Sequence, residues 1–512
     1  MSAQAPRVLR PERLSPQSLL DLADTFDLTV VGDLEGASVT GVAVAASHVH
    51  AGDLYVGMRG AHAHGASFAG EARERGAVAL LTDAEGLALA SGSGLPVLVT
   101  PTPRESLGAV SAAVYGTTDA PLTLFGVTGT NGKTSTAYLL DAVLRHLGRR
   151  TGLSTTAERI IDGTAYSSRL TTPEAPEIHA MLALMREIGI DAATLEVSAQ
   201  ALARHRVDGV MFDVVGFTNL SHDHLDDFGT MPDYLAAKAA LFSSERAKRG
   251  VVSLDSSWGS AVVEAAEIDV VTISTRADTS ADWQLAVTDE QPDRTYFSLT
   301  SPEGERIKTS VPIIGAHMAA NAGLAIAMLV SSGVPLSEIA AALGGDPISV
   351  YLPGRAERVS GDRGPSVYVD FGHSADAYAT TLAAVRRFTS GRLFILCAAN
   401  GNRDATKRSE MGRVAALGAD VVIVTDHHPR LEDPALIRAA LLEGARSAGS
   451  AAEILEIASP EHAIIEAVQR AHEGDTILWA GPGHLDYRDV GGTKVPFFAR
   501  DLARAALKDA GW

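Results

Sequence analysis

Apolar runs and helical stripes alternate along the chain in three successive blocks. In the first, a helix-like segment at 16–26 leads into short β-rich stretches at 28–31, 38–44 and 54–58. A helix-like 68–75 and an apolar run at 78–81 follow, and this alternation predicts a small α/β domain. From residue 122, continuous apolar runs of strand length recur at 122–128, 192–197, 214–217 and 251–254, separated by helical segments. Runs without polar alternation are what parallel strands need when helices cover both faces of their sheet. Between 283 and 312 alternation takes over in WQLAVTD, RTYFSLTS and RIKTSVPI, which predicts an antiparallel annex, and a helical run at 317–329 closes the block. The turn-rich GGDPISVYLPGR reads as an interdomain connection, after which strand-like runs at 367–369, 393–398, 420–424 and 476–479 again alternate with helices. The expected architecture is α/β in three domains: a small N-terminal one at 1–117, a central P-loop ATPase-like one with a mostly parallel sheet at 118–347, and a Rossmann-like C-terminal one at 348–512.

Composition narrows the function. With 46% hydrophobic and 21% charged residues the chain is globular, and 62 acidic against 43 basic residues leave a net charge of −19. That balance argues against a broad electrostatic grip on nucleic acid or an anionic membrane, so any phosphate has to be held locally. The single cysteine, Cys397, excludes an intramolecular disulfide framework or a multi-cysteine zinc ribbon. The opening MSAQAPRVLRPERLSP has no apolar core of signal-peptide length, and no run reaches the roughly 18 apolar residues of a membrane span. A cytoplasmic location is expected.

The clearest chemistry lies where the first central strand ends, in GVTGTNGKTS at 126–135. Glycines 126, 129 and 132 let backbone N–H groups close on phosphate oxygens at a helix N-terminus, Lys133 can bridge terminal phosphates, and Thr134 can ligate Mg²⁺. Strict Walker A spacing places the first glycine at Val127, so this is a variant loop. The helix behind it carries Leu139, Leu140, Val143, Leu144 and Leu147 as one apolar stripe. Glu196 ends an apolar strand and His224 follows another, at the carboxyl ends where open α/β sheets place ligands. Lys238 shares a helical face with Tyr234, Leu235, Leu241 and Phe242, so it points inward. An ion pair with an unseen acid, a snorkelling stem and a lowered pKa all remain open for it.

GVTGTNGKTS resembles the nucleotide loop of the Mur ligase family and of its relatives, the folylpolyglutamate synthetases. LTTPEAPE (170–177), LEVSAQALARHRV (195–207), FTNLSHDHLDDFGTMPDYLAAKAALF (217–242), LPGRAERV (352–359) and NRDATKRSEMG (402–412) look like successive motifs of the UDP-N-acetylmuramoyl-tripeptide synthetases within that family. The resemblance implies ATP-driven ligation through an acyl phosphate, joining a free diamino acid to a UDP-muramoyl dipeptide for peptidoglycan synthesis. The protein would act as a monomer. It implies nucleotide binding by Gly129, Thr130, Asn131, Gly132, Lys133, Thr134, Ser135, Asn321, Arg355 and Asp370, with His373 nearby. Catalysis would fall to Lys133, Glu196, His224 and Lys238, with Thr134, Glu196, His224 and a carbamylated Lys238 around Mg²⁺.

For the dipeptide substrate the matching positions are Thr171, Thr172, Ser198, Arg204 and Arg206, with Ser47 toward the uridine. Arg204 departs from the glutamine common there, and Ala46 and His48 depart from the aspartate and arginine that usually flank Ser47. Arg403 and Lys407 face the reacting end, and the amino acid would meet His427, His428, Arg430, Gly481 and Leu485. Members that add meso-diaminopimelate carry Asp-Asn-Pro-Arg and a glutamate at these sites. Here Pro429 and Arg430 persist, but His427 and His428 replace the aspartate and asparagine and Leu485 the glutamate, while Asp486 would lie on the other side of an extended chain. L-lysine, ornithine or diaminobutyrate thus stand beside diaminopimelate as the amine. The alternatives are a folylpolyglutamate synthetase and a nucleotide-dependent regulator without ligase activity; hinge closure is expected near Pro353 and Gly354.

Overall fold

The computed structural model describes residues 9–118, 121–168, 170–345 and 347–512; the first eight residues and Asp346 of the predicted connection lie outside them. Three main sheets follow one another along the chain. The first runs Thr29–Val31, Val97–Val99, Ala79–Thr82, Asp53–Val56, Gly41–Ala43, parallel except for its Thr29–Val31 edge. Helix Pro103–Tyr115 leaves this sheet and packs on helix Ala175–Glu187 of the next layer. Ala175, Ala180 and Ala183 of that second helix join the N-terminal core, so the two layers share buried apolar surface.

Among the described residues the central sheet has eleven strands. Its middle, Thr151–Ser154, Ala192–Glu196, Thr123–Thr128, Val214–Phe217, Arg249–Ser253, Asp269–Ser274 and the start of Trp283–Gln291, is parallel. The antiparallel annex forms as expected from Trp283–Gln291, Arg294–Thr300 and Arg306–Val311. Sequence reading missed the other edge, the hairpin Glu158–Ile161 with Thr164–Ser167, and the strand Asp269–Ser274. Apart from Ile161, Ile273 and Ser274 these strands are half-buried or exposed, so they lack the continuous apolar run that marked their neighbours. Gly126 has a packing reason rather than a phosphate one: a Cβ there would stand 3.1 Å from the Phe212 ring and 3.2 Å from Val215.

Helix Lys133–His146 is buried from Thr134 to Leu144 on every side, not along a single stripe. The sheet takes one face and helix Ala316–Ser331, itself largely buried, takes the other. The C-terminal sheet runs Glu357–Arg358, Ser366–Asp370, Thr476–Ala480, Leu393–Cys397, Val421–Val424, Glu453–Glu456, all parallel save its first strand. One apolar cluster continues from the central helices through Ile348 and Leu352 into Tyr378, Leu393 and Met411, which brings the carboxyl ends of the two sheets face to face. Among the described residues no helix is long and apolar enough to cross a membrane.

Candidate functional site

A cavity of about 680 Å³ lies between these sheets, floored by the Gly-rich loop and walled by the C-terminal domain. The loop leaves strand Thr123–Thr128 at Gly129 (φ +144°) and enters the helix through Gly132 (φ +87°), a left-handed conformation that side chains disfavour. Space imposes the same choice, since a Cβ on Gly129 would lie 1.9 Å from Thr218 Oγ1 and one on Gly132 2.6 Å from Asn321 Oδ1. Thr130, Asn131, Gly132, Lys133, Thr134 and Ser135 all line the cavity at the helix N-terminus, a cradle for an anion. The Lys133 ammonium curls back over the loop, donating to the carbonyls of Gly129 at 3.1 Å and Thr130 at 3.0 Å.

Beside it the buried Glu196 carboxylate accepts from Thr134 Oγ1 at 2.9 Å, from the Thr156 N–H at 2.9 Å and from Thr156 Oγ1 at 3.1 Å, with Lys133 Nζ 3.8 Å away. Hydroxyl and carboxylate oxygens in contact form a hard donor set that fits Mg²⁺. His224 adopts a left-handed φ of +56° at the start of turn Leu225–Phe228, and its Nδ1 is buried without a hydrogen-bond partner. Burial holds this imidazole below its ordinary pKa against the pull of Asp223, and Lys133, Lys238 and Lys407 add to the lowering. A neutral ring with an unused nitrogen is what a metal ligand requires. Asp226 and Asp227, whose carboxylates approach His224 within 4.8 Å, are exposed, and Asp227 is already engaged by Arg204 and Gln200.

Lys238 points inward from helix Met231–Ala239, only 1% exposed. Its Nζ donates to the Gly129 carbonyl at 2.6 Å and sits 4.5 Å from the Tyr234 ring centre, and no carboxylate among the described residues forms an ion pair with it. Burial pushes its pKa well below the usual lysine value and Lys133 adds to this, while Asp223 and Glu196 oppose it. Of the three alternatives, the structure selects the lowered pKa.

The C-terminal wall closes onto this floor. Arg355 donates to Thr134 Oγ1 at 3.1 Å with its guanidinium 4.5 Å from the Phe371 ring, and Asn131 Nδ2 donates to Asp376 at 3.0 Å. Lys407 reaches across to the buried Asp223 at 2.6 Å, with His373 3.7 Å from the same carboxylate. Asp370 borders the cavity, but its oxygens accept the N–H groups of Ala356 at 2.8 Å and Gly372 at 2.7 Å, so it shapes the wall. Asn321 faces Gly132 from helix Ala316–Ser331.

At the far end, Arg403, His427, His428, Arg430, Gly481 and Leu485 line the same cavity. The rings of His427 and His428 lie 3.9 Å apart, and burial pushes the pKa of His428 down to about 4 with help from Arg430. Pro482 to Leu485 forms a turn closed by a 3.1 Å bond from the Leu485 N–H to the Pro482 carbonyl. The segment is therefore not extended, and Asp486 borders the cavity together with Leu485.

Of the positions expected to hold the dipeptide, Thr171, Ser198 and Arg206 line the cavity, Arg206 being oriented by Glu174 at 3.0 Å. Thr172 is buried beneath, donating to the Glu196 carbonyl at 2.8 Å and accepting from the Ser198 N–H at 3.1 Å, so it sets the backbone rather than facing the cavity. Arg204 points away, half-exposed and 3.5 Å from Asp227, and Ser47 stands on the turn Ala46–His48 of the N-terminal domain, outside the cavity lining. Sequence reasoning passed over Asp223, Thr156, Asp376, His484 and Asp489. Asp223 had a signal, its place beside His224 in SHDHLDD; the others are met only through the fold.

These features define a three-domain α/β enzyme in which a phosphate loop and a cation site on one sheet face the carboxyl end of another. The chain belongs to the Mur ligase family, and it is a ligase. It matches the family's catalytic domain over residues 38–114, the Mur ligase middle domain over 127–329 and the glutamate ligase domain over 354–483. A UDP-N-acetylmuramyl-tripeptide synthetase of Leifsonia xyli subsp. xyli is 56% identical over 513 residues, covering 100% of both chains. A UDP-N-acetylmuramoyl-L-alanyl-D-glutamate–2,6-diaminopimelate ligase of Streptomyces coelicolor is 39% identical over 501 residues, 98% of each. A solved structure of a ligase bearing that same name superposes with a TM-score of 0.66 at 26% identity, over 96% of this chain and 99% of the other.

Proposed function

We propose that this ligase uses ATP and Mg²⁺ to join a diamino acid to UDP-N-acetylmuramoyl-L-alanyl-D-glutamate, in the cytoplasm, as a step of peptidoglycan precursor synthesis. The observation that carries the reading is the convergence on one cavity of Lys133, Thr134, Glu196 and His224 from the central domain with Arg355, Arg403 and Arg430 from the C-terminal domain. Full-length kinship to the Leifsonia and Streptomyces ligases supports the muramoyl substrate over folate.

The dipeptide carboxylate attacks the γ-phosphorus, ADP departs, and an acyl phosphate forms. The free amine then adds to its carbonyl, loses a proton, and phosphate leaves as the amide forms. Lys133 neutralises phosphate charge over the loop, and Arg355 crosses from the opposite wall beside Thr134. Thr134, Glu196 and His224 would hold Mg²⁺, which supplies charge neutralisation for the phosphates. Arg206 orients the dipeptide, and Arg403 and Arg430 receive carboxylates of the incoming amino acid. Lys238, facing Gly129 with its pKa held well down by burial, is suited to react with CO₂ and become a carboxylate-like ligand. Ser47 and the N-terminal domain take the uridine end.

Phosphate release tests this. Mixing the protein with ATP, the UDP-muramoyl dipeptide and a panel of diaminobutyrate, ornithine, lysine and diaminopimelate should give stoichiometric phosphate and the tripeptide product with at least one amine. Silence with every amine would sink the reading. Release with folate and glutamate instead would move the protein to the folate branch.

A further inference from the structure

We propose that Asp489 receives the second, side-chain ammonium of the incoming amino acid and thereby sets the preference for a diamino acid. This rests on the reaction proposed above and names the residue that would read one end of its last substrate.

Asp489 lies on the hairpin Tyr487–Val490 with Thr493–Pro496 and borders the cavity at its C-terminal end. Its backbone is pinned on both sides, the N–H donating to His428 Nδ1 at 2.8 Å and the carbonyl accepting from the Arg430 N–H at 3.0 Å. The side chain is not similarly satisfied, for Oδ1 is buried and has no hydrogen-bond partner. A buried carboxylate oxygen left unpaired costs free energy that a ligand donor would recover. Lys494 is the residue directly opposite in the hairpin, yet its ammonium lies 4.1 Å from the Tyr487 ring centre and makes no ion pair with Asp489. The residue is thus held in place at the cavity wall with one carboxylate oxygen buried and unpaired.

The surroundings specify the ligand. Arg403 and Arg430 line this end and suit carboxylates, so without an acid the wall would favour a purely anionic substrate. Leu485 contributes only apolar surface, and Asp486 is exposed to solvent, where water would screen it. His428 spends Nδ1 as an acceptor for the Asp489 N–H, which leaves its Nε2, also buried and unpartnered, as an N–H donor. Among the described residues at this end of the cavity, Asp489 is the acid that offers the distal amine a desolvated carboxylate oxygen.

The experiment compares kcat/KM for each diamino acid with that of its analogue lacking the distal amine: diaminobutyrate with 2-aminobutyrate, ornithine with norvaline, lysine with norleucine, diaminopimelate with 2-aminopimelate. For the best pair the wild type should favour the diamino acid by about 100-fold or more, as expected when a buried polar group is left unpaired by the wrong substrate. Asp489→Asn should shrink that ratio below about tenfold by raising KM for the diamino acid, with KM for ATP and for the dipeptide substrate nearly unchanged. Asp489→Glu should retain most of the ratio. Should Asp489→Asn fail to fold by its melting temperature, Asp489→Ser gives the same reading with a smaller side chain. A wild type indifferent to the distal amine, a ratio unaltered in the folded variant, or a ratio lost only in Asp486→Asn would each overturn the assignment while leaving the ligase reading intact. Absence of phosphate release with every amine would fell the ligase reading and this inference with it.

Discussion

Two buried bases show how single residues couple to the rest. Lys238 is fully enclosed with a carbonyl and a ring for company, and burial holds its amine well below the usual lysine pKa. Intact mass in bicarbonate buffer should show an increment of one CO₂, and Lys238→Ala should lose activity by a factor of about 100 or more and recover part of it in millimolar acetate or formate. An unmodified wild type with a fully active alanine variant would remove Lys238 from the chemistry. His179 is the structural counterpart, bridging Thr117 Oγ1 at 2.6 Å and the Asp208 carbonyl at 3.1 Å, with burial pushing its pKa from 6.5 to about 4. A histidine with a depressed native pKa is neutral when folded, so its contribution is whole above pH 6.5 and is lost as the pH falls toward about 4. Acid titration of unfolding should therefore show a loss of about 3 kcal/mol across that window, which His179→Gln flattens.

At the level of elements, the loop is a strand-to-helix turn whose shape is imposed from outside. Gly129→Ala forces a Cβ into Thr218 Oγ1 at a φ of +144°, and should lower the melting temperature by several degrees and abolish stabilisation by ATP. Retention of ATP-induced stabilisation by a folded variant would mean that the loop does not hold the nucleotide. The strand preceding it, the helix following it and its variant glycine spacing were all legible in the sequence. That the helix is buried all round was not, because the second covering helix lies nearly two hundred residues downstream. Edge strands such as Glu453–Glu456 were missed for a related reason: half-exposed, they carry no apolar run.

For the whole molecule, the active arrangement depends on the central and C-terminal domains meeting. Asp223 and Lys407 are both buried and 2.6 Å apart across that junction. Removing either charge strands the other, so Asp223→Asn or Lys407→Met should each cost about 3 kcal/mol, and the double variant less than the sum. Small-angle scattering should show the single variants more open, with ligation slowed far more than nucleotide binding to the central domain. Equal compactness and additive losses would deny the pair a clasping role. The same closure gives the segment around Pro353 and Gly354 its proposed hinge role: Gly354 packs against Gly483, so the connection is in contact with the wall it would carry.

By itself the sequence determined the class of chemistry. A glycine loop between an apolar strand and a helix, an acid ending the next strand and a lysine on an apolar helical face are local patterns, and local patterns follow from backbone geometry and periodicity. The tertiary structure alone decided which distant groups share that cavity and which do not. It turned Arg204 and Thr172 away from it, brought Asp486 into it through a turn, and left one carboxylate oxygen of Asp489 buried without a partner. Burial and charge pairing arise between segments far apart in the chain, and no spacing along one segment encodes them.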